Sequence, residues 1–262
     1  MCQPLTRIAL LTLTIALLAP AKGWAQDAPK GDEDKPKEQA PKEFPDPPVI
    51  REVPLGPVLP TIPVRRDAPL YNMVRADTAV LPLDTQGIWV LKFAFRPVRI
   101  IQIERDGKRR YIHYMFYQVV NRTGKPRMFV PQFTLVTDTG KRYQDTINPI
   151  ALKVINSRED PTHTVLGPPD IQGMLPVSKK EGIDDAIYGV AIWENVDPKA
   201  DRFTVYVRGL SDGYKLVAPP QGGQPVTRYK TLQIGFIRRG DEHDLTEREI
   251  ELLDPPFEWI YY

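Results

Sequence analysis

From Gly87 to Ile237 the chain keeps returning to a two-residue hydrophobic period, and that period limits what it can become. In "WVLKFAF", Trp89, Leu91, Phe93 and Phe95 share one side while Val90, Lys92 and Ala94 take the other. That is the pattern of a half-buried strand, whose successive side chains point to opposite faces. "VRIIQIE" follows, and Asp106-Gly107 in "ERDGKRR" closes a hairpin, because both residues tolerate the positive φ of the tight turn. "RYIHYMFYQVVN" is apolar on both faces, as a central strand covered on both sides must be. "FVPQFTL" lines up Phe129, Pro131, Phe133 and Leu135, with the proline marking an edge or bulge. "AIYGVAIWE" (186–194) and "RFTVYVRGL" (202–210) resume the alternation. In the second, Phe203, Val205 and Val207 oppose Thr204, Tyr206 and Arg208. "TRYKTLQIGFIRR" turns Leu232, Ile234 and Phe236 inward.

One segment departs from the period. "TINPIALKVINSRED" places Ile147, Ile150, Ala151, Val154 and Ile155 on a helical stripe, with Asn148 at the N-cap and Pro149 at the first helical position. The C-terminus supports two readings. Thr246 and Glu249 have capping-box spacing, with Leu245 and Ile250 as a hydrophobic staple. Yet "DPP" from Asp254 leaves that helix barely two turns, so a strand pair, "REIELL" and "FEWIYY", is preferred. Seven to nine strands over about 200 residues, one short helix and no strand–helix alternation predict an all-β antiparallel sandwich. No internal repeat is visible, which removes propellers and solenoids.

The N-terminal quarter has a different composition. Arg7, the apolar run Ile8 to Ala19 and the small residues of "GWA" before Gln26 form a secretory signal peptide, predicted over 1–25. The run is shorter than the ~20 residues a membrane helix needs. The single cysteine, Cys2, precedes it, where a lipidation site would follow it. Removal of the leader therefore leaves no thiol, which excludes disulfides, thiol catalysis, zinc–thiolate sites and iron–sulfur clusters. Of 35 basic residues, Arg7 and Lys22 leave with the leader, so 33 face 33 acidic ones. A neutral chain lacks the field that gathers polyanions, and nucleic acid is not an expected partner. Residues 26–63 alternate prolines with charges and hold too little apolar surface to offset ordering entropy. They read as a disordered spacer, in preference to a docking peptide. The folded domain is expected over 64–262, with an extended C-terminal arm and no transmembrane segment.

Candidates for chemistry are sparse. His113 lies inside a central strand and reads as a core histidine; His163 sits on a loop beside Asp160 with no nucleophile signature nearby. Asp241, Glu242, His243 and Asp244 form the best metal-ligating candidate, since carboxylates with one imidazole suit a divalent ion. They lack the glycine and distal glutamate of a calcium loop and equally suit a solvated turn. Arg239 to Asp241 spell an RGD tripeptide, which is ordinary turn chemistry. Adjacent Asp184 and Asp185 point to opposite faces if they lie on a strand, and Asp138 and Asp212 belong to turns. No nucleophile elbow, phosphate loop, dinucleotide fingerprint or H-E-x-x-H occurs, so no catalytic residue, cofactor or enzymatic activity is expected. Tyr111, Tyr114, Tyr117, Trp193, Tyr206, Tyr229, Trp259, Tyr261 and Tyr262 are more aromatics than one core face absorbs. Outward ones suit sugar stacking or protein docking. The terminal "WIYY" matches the ending of membrane barrels, but Arg202 and Arg208 spoil the lipid face such strands require.

"YQVVNRTGKPRMFVPQFTLVTDTGKRYQD" resembles a recurring half of immunoglobulin-like domains in exported bacterial proteins. There a strand ends in Asn plus a hydroxyl residue, a basic turn follows, and the next strand ends in Asp-x-Gly before an aromatic. "MLPVSKKEGIDDAIYGVAIWENVDPKADRFTVYVRGL" is similar to that family's second half, and together they span about half of the chain after the leader. The resemblance implies an immunoglobulin-like sandwich with a periplasmic or extracellular address, and no activity or functional residues. The long loop Asp160 to Gly182 and the C-terminal arm depart from it. The expected role is a non-catalytic binding or assembly module of the cell envelope, partnered by an envelope protein or polysaccharide. The alternatives are a carbohydrate-binding module using exposed aromatics and a hydrolase with a loop-borne site.

Overall fold

Strands form where the two-residue period predicts them, and in greater number. The computed structural model describes residues 56–65, 73–82, 84–159, 163–179, 181–219, 222–239 and 250–262. In chain order these contain β1 (Ile62–Arg65), β2 (Val74–Ala76), β3 (Lys92–Phe95), β4 (Arg99–Arg105), β5 (Lys108–Val120), β6 (Arg127–Phe129), β7 (Gln132–Thr137) and β8 (Arg142–Gln144). Helix α1 (Pro149–Glu159) follows, then β9 (Gly173–Leu175), β10 (Ile183–Glu194), β11 (Arg202–Arg208), β12 (Tyr214–Val217), β13 (Val226–Ile237) and β14 (Glu251–Tyr261). Every pairing between these strands is antiparallel.

They assemble into two six-stranded sheets and a two-stranded ribbon, β6–β9. In the first sheet β5 is the spine. One edge pairs with β10, and the other is shared by β3, opposite Tyr117 to Val120, and β4, opposite Lys108 to Tyr114. The β4–β5 hairpin turns on Asp106 and Gly107, with φ of 55° and 68°, as the turn pair predicts. In the second sheet β13 lies between β11 and β14, while β7 and β8 extend the β11 side. The proline in "FVPQFTL" ends β6 and lets β7 start on a different partner.

The two sheets face each other across one thiol-free core. Phe93, Phe133, Val205 and Ile234, drawn from both sheets, belong to it. Tyr117 meets Phe133 with ring centroids 4.7 Å apart, and Phe95 meets Phe236 edge-on at 6.3 Å. Each such side chain contributes about 1.5–3 kcal/mol by leaving water. The outer face of the first sheet is buried too: Ile112, Tyr114, Phe116 and Ile192 pack with Ala151 and Ile155 of α1. That second core is why β5 is apolar on both faces.

Four expectations need correction. Asn148 caps α1 as predicted, its Oδ1 accepting from the Ala151 N–H at 2.9 Å. The buried line of the helix, however, is Ala151, Ile155 and Glu159, while Ile147, Ile150 and Val154 are exposed. The helix turns by about 100° to bring Glu159 onto the sheet, and one residue of offset carries Ile150 and Val154 out. The spacer does not extend to Pro63: Val58 bridges Met174, Leu59 is buried, and β1 begins at Ile62. Apolar residues among the prolines supply that docking; residues 26–55, like the predicted leader, lie outside the described residues. The segment Asp160 to Gly182 is not wholly a loop, because it supplies β9 and a bridge from Leu166 to Gly189. Finally, the predicted pair "REIELL" and "FEWIYY" is one strand, β14, continuing through Pro255 and Pro256 with a register shift opposite Ile234 and Phe236. Thr246 and Glu249 of the alternative helix lie outside the described residues.

The "NRTGK" turn after β5 is a structural lock. Asn121 is fully buried; its Oδ1 accepts from Thr123 N–H at 3.0 Å, and its Nδ2 donates to Lys125 O and Leu175 O, both at 2.9 Å. Asn121→Ala is expected to destabilise the domain by about 2–4 kcal/mol, since it leaves two carbonyls and an N–H without partners. Urea denaturation checks this, with Asn121→Asp at least as damaging, because its carboxylate sets an acceptor against the Lys125 and Leu175 carbonyls in a buried site.

Candidate functional site

Among the described residues, the predicted chemical residues are not brought together. His113 is buried, its ring 5.7 Å from that of Phe203 between the sheets. His163 packs 5.1 Å from Tyr188 on the far face of the first sheet. Asp241, Glu242, His243 and Asp244 lie outside the described residues, as do two of the three RGD residues; Arg239 pairs with Glu251 at 3.0 Å. Asp184 and Asp185 both lie on β10, where Asp184 pairs with Arg122. Asp138 accepts from the Arg202 N–H at 3.1 Å, and Asp212 from the Trp89 N–H at 2.9 Å. Both are turn fasteners. Among the described residues no group of His, Cys, Asp and Glu is placed to hold a metal ion. Nor is any helix among them long and apolar enough to cross a membrane.

Two buried ionic clusters escaped the sequence reading. Glu159 accepts from Tyr114 Oη at 2.5 Å and from Arg99 at 3.0 Å, and also pairs with Arg96. Burial pushes the Glu159 carboxyl up, but the hydrogen bonds from Tyr114 and Arg96 and both guanidinium charges hold it below its usual range. Burial, then the bond to Glu159, pushes the Tyr114 hydroxyl well up. Lys230 is fully buried and reaches Asp84 at 2.5 Å and Ala79 O at 2.7 Å. In both clusters the carboxylate is held by several donors and ties an outlying segment to a sheet.

The second sheet differs from the first on its outer side. The patterns of β7 and β11 alternate buried with half-exposed residues, so this face carries no second core. Alternation turns Arg202, Thr204, Tyr206 and Arg208 of β11 outward, opposite the core residues Phe203, Val205 and Val207. Register adds Thr134 of β7, Gln144 of β8, and Gln233 of β13. At the chain end, Tyr262 exchanges two backbone hydrogen bonds of 3.0 Å with Tyr229. The Tyr262 ring then stacks on Tyr206 with centroids 4.4 Å apart and planes 10° from parallel. The Arg208 guanidinium lies 3.5 Å from the centre of the Tyr229 ring, and that of Arg142 lies 6.0 Å from the centre of Tyr262. Burial, and then the neighbouring Tyr262, pushes the Tyr206 hydroxyl up, so it remains a donor across the neutral range. The row continues onto the β12–β13 hairpin, where exposed Tyr214 and Leu216 pair with Tyr229 and Thr227.

This is a row of tyrosines pinned by arginines. Their planar groups are ordered in advance, which lowers the entropy lost when something docks. Of the aromatics singled out in the sequence, Tyr114, Tyr117, Trp193 and Trp259 are core, while Tyr206, Tyr229 and Tyr262 form the row. Alternation alone marks Tyr206 and Arg208 as outward; Tyr262 joins them only through the order β14–β13–β11. A separate groove of about 380 Å³ on the first sheet has a rim of mixed sign, Arg65, Arg75 and Lys92 with Asp77 and Asp184, which selects no ligand charge. Comparison with protein-family models, with curated proteins and with solved structures finds no match.

Proposed function

We propose that the protein is a non-catalytic binding module of the cell envelope, exported by its leader and built on an immunoglobulin-like sandwich. In this reading it docks a partner protein through the outer face of the second sheet. The observation that carries it is the pinned row of Arg142, Tyr262, Tyr206, Arg208 and Tyr229 on a face without a second core. Tyrosine and arginine dominate the energetics of protein interfaces, because each combines a large flat surface with hydrogen-bond donors. Charge narrows the partner. Arg142, Arg202 and Arg208 lie on this face against Glu258, so an acidic protein surface is the complement. Stacking on sugar rings fits less well, since Tyr206 and Tyr262 cover each other and Arg208 covers Tyr229.

A photo-crosslinking residue at Thr204 or Gln233, with Lys153 on α1 as control, tests this in the producing cell. The expected result is one partner captured from the sheet positions and not from the helix. With that partner purified, Tyr206→Ala and Arg208→Ala should each weaken binding by about tenfold or more, and rising salt should weaken it further. Capture from the helix alone, or affinities unchanged by both substitutions, overturns the reading. Retention on an acidic polysaccharide without any crosslinked protein transfers the face to the sugar reading.

A further inference from the structure

A second site lies at the other end of the core, away from the tyrosine row. A cleft of about 360 Å³ opens where the β4–β5 hairpin meets the β10–β11 turn. Lys108, Arg109, Arg110, Tyr111 and His113 of β5 line it, with Asn195 and Pro198 across from them. Every charged group in that lining is a cation. Polar burial there is also incomplete. His113 is 5% exposed, yet its Nδ1 has no hydrogen-bond partner. Beside it Arg238, 3% exposed, donates to Pro198 O at 2.5 Å and leaves its own Nε unpaired.

Buried nitrogens are paired in the great majority of folded proteins, so two unpaired ones at one end of the core, His113 Nδ1 and Arg238 Nε, ask for an acceptor. Burial, and then the Arg238 charge, lowers the His113 imidazole to about 4. A neutral ring offers one N–H without adding to the cationic repulsion, while Arg109 supplies a guanidinium fork suited to oxyanions. We infer that this cleft binds an oxyanion of the phosphate class, with His113 as the inner donor and Lys108 and Arg109 at the mouth. The volume exceeds that of one phosphate group, which points to a phosphoryl group carried on a larger body, either a soluble ester or a lipid headgroup.

The test titrates the full chain with inorganic phosphate, with glycerol phosphate, and with vesicles of phosphatidylglycerol or of phosphatidylcholine. Binding is read by calorimetry or co-sedimentation and by the ¹⁵N resonances of the His113 ring. The expected result is saturable binding of a phosphate compound with displacement of the His113 signal, weakened about tenfold or more by Arg109→Gln or by Lys108→Gln. Both positions are exposed, so these variants fold as the parent does. Binding of glycerol phosphate assigns a soluble ester, and binding of phosphatidylglycerol vesicles alone assigns a headgroup. Absence of saturation with all four probes overturns the inference. So does a response that chloride reproduces at equal ionic strength, or a His113 signal that stays put while phosphate binds elsewhere.

Discussion

Lys230→Met is expected to destabilise the domain by about 3–5 kcal/mol, although it replaces a charged residue inside the core with an apolar one of similar length. Lys230 is 0% exposed and projects from β13 into the space between the sheets, beside Trp259. Its ammonium donates to Asp84 Oδ2 at 2.5 Å and to Ala79 O at 2.7 Å, which holds Ala79 and Asp84 against the end of the core. Asp84 also accepts from the Leu81 N–H at 2.7 Å and from the Tyr261 hydroxyl. Burial raises the Asp84 carboxyl, but the hydrogen bonds from Lys230, Tyr261 and Leu81 and the Lys230 charge outweigh it, and the group titrates below its usual range. Without the lysine, only the Leu81 N–H and the Tyr261 hydroxyl oppose burial, and the carboxylate has no countercharge. The loss is therefore mainly the penalty of a stranded charge, and a second substitution separates this from the loss of a contact. Lys230→Met with Asp84→Leu should recover most of the stability, because an apolar pair of matching volume often equals or exceeds a buried ion pair. A double-mutant cycle by urea denaturation should give a coupling of about 2 kcal/mol or more. Single variants within about 1 kcal/mol of the parent exclude the stranded-charge account.

The same pair shows where a sequence stops being informative. In "TRYKTLQIGF" the alternation puts Leu232, Ile234 and Phe236 inward, and the same parity puts Lys230 inward, against every expectation for a lysine. Only Asp84, 146 positions away, makes that position tolerable. Glu159 is alike: on the helix it reads as a solvated last-turn residue, and its partners Arg96 and Arg99 come from 63 and 60 positions earlier. Properties carried by neighbours in the chain were legible, including the strand faces through Phe93 and Val205, the Asp106-Gly107 turn and the Asn148 cap. Properties created by sheet order were not. Tyr262 completes the tyrosine row because β14 pairs with β13, and "DPP" reads as a stop until β13 is present to carry the strand through it. The cations at the phosphate-class cleft are contiguous in "KRRY", but their shared cleft exists only once the β10–β11 turn faces them.

The second large effect concerns acid. Between about pH 6.5 and pH 4 the domain is expected to lose about 3 kcal/mol of stability through His113 alone. The folded imidazole is lowered to about 4 by burial and then by Arg238, while an unfolded histidine titrates near 6.5. Within that window the unfolded chain binds a proton that the folded one refuses, so unfolding gains as pH falls. Above the unfolded value the stability is fully present; below the folded value it is fully lost. Asp84 and Glu159 add losses from the acid end of that window downward, beginning where the unfolded carboxyls take up protons and continuing to their lowered folded values. Asp145 acts in the opposite sense, since burial raises its carboxyl and the folded form holds a proton that the unfolded one has released. Urea denaturation at half-unit pH steps measures the profile, and His113→Leu, similar in size and without a proton to bind, should flatten it between pH 4 and pH 6.5. A flat profile in the parent, or an equally steep one in the variant, removes His113 as the cause. Should the cleft hold a phosphate compound, that ligand would draw the imidazole upward by offering its proton a partner, and the acid loss of the parent should shrink as the ligand is added.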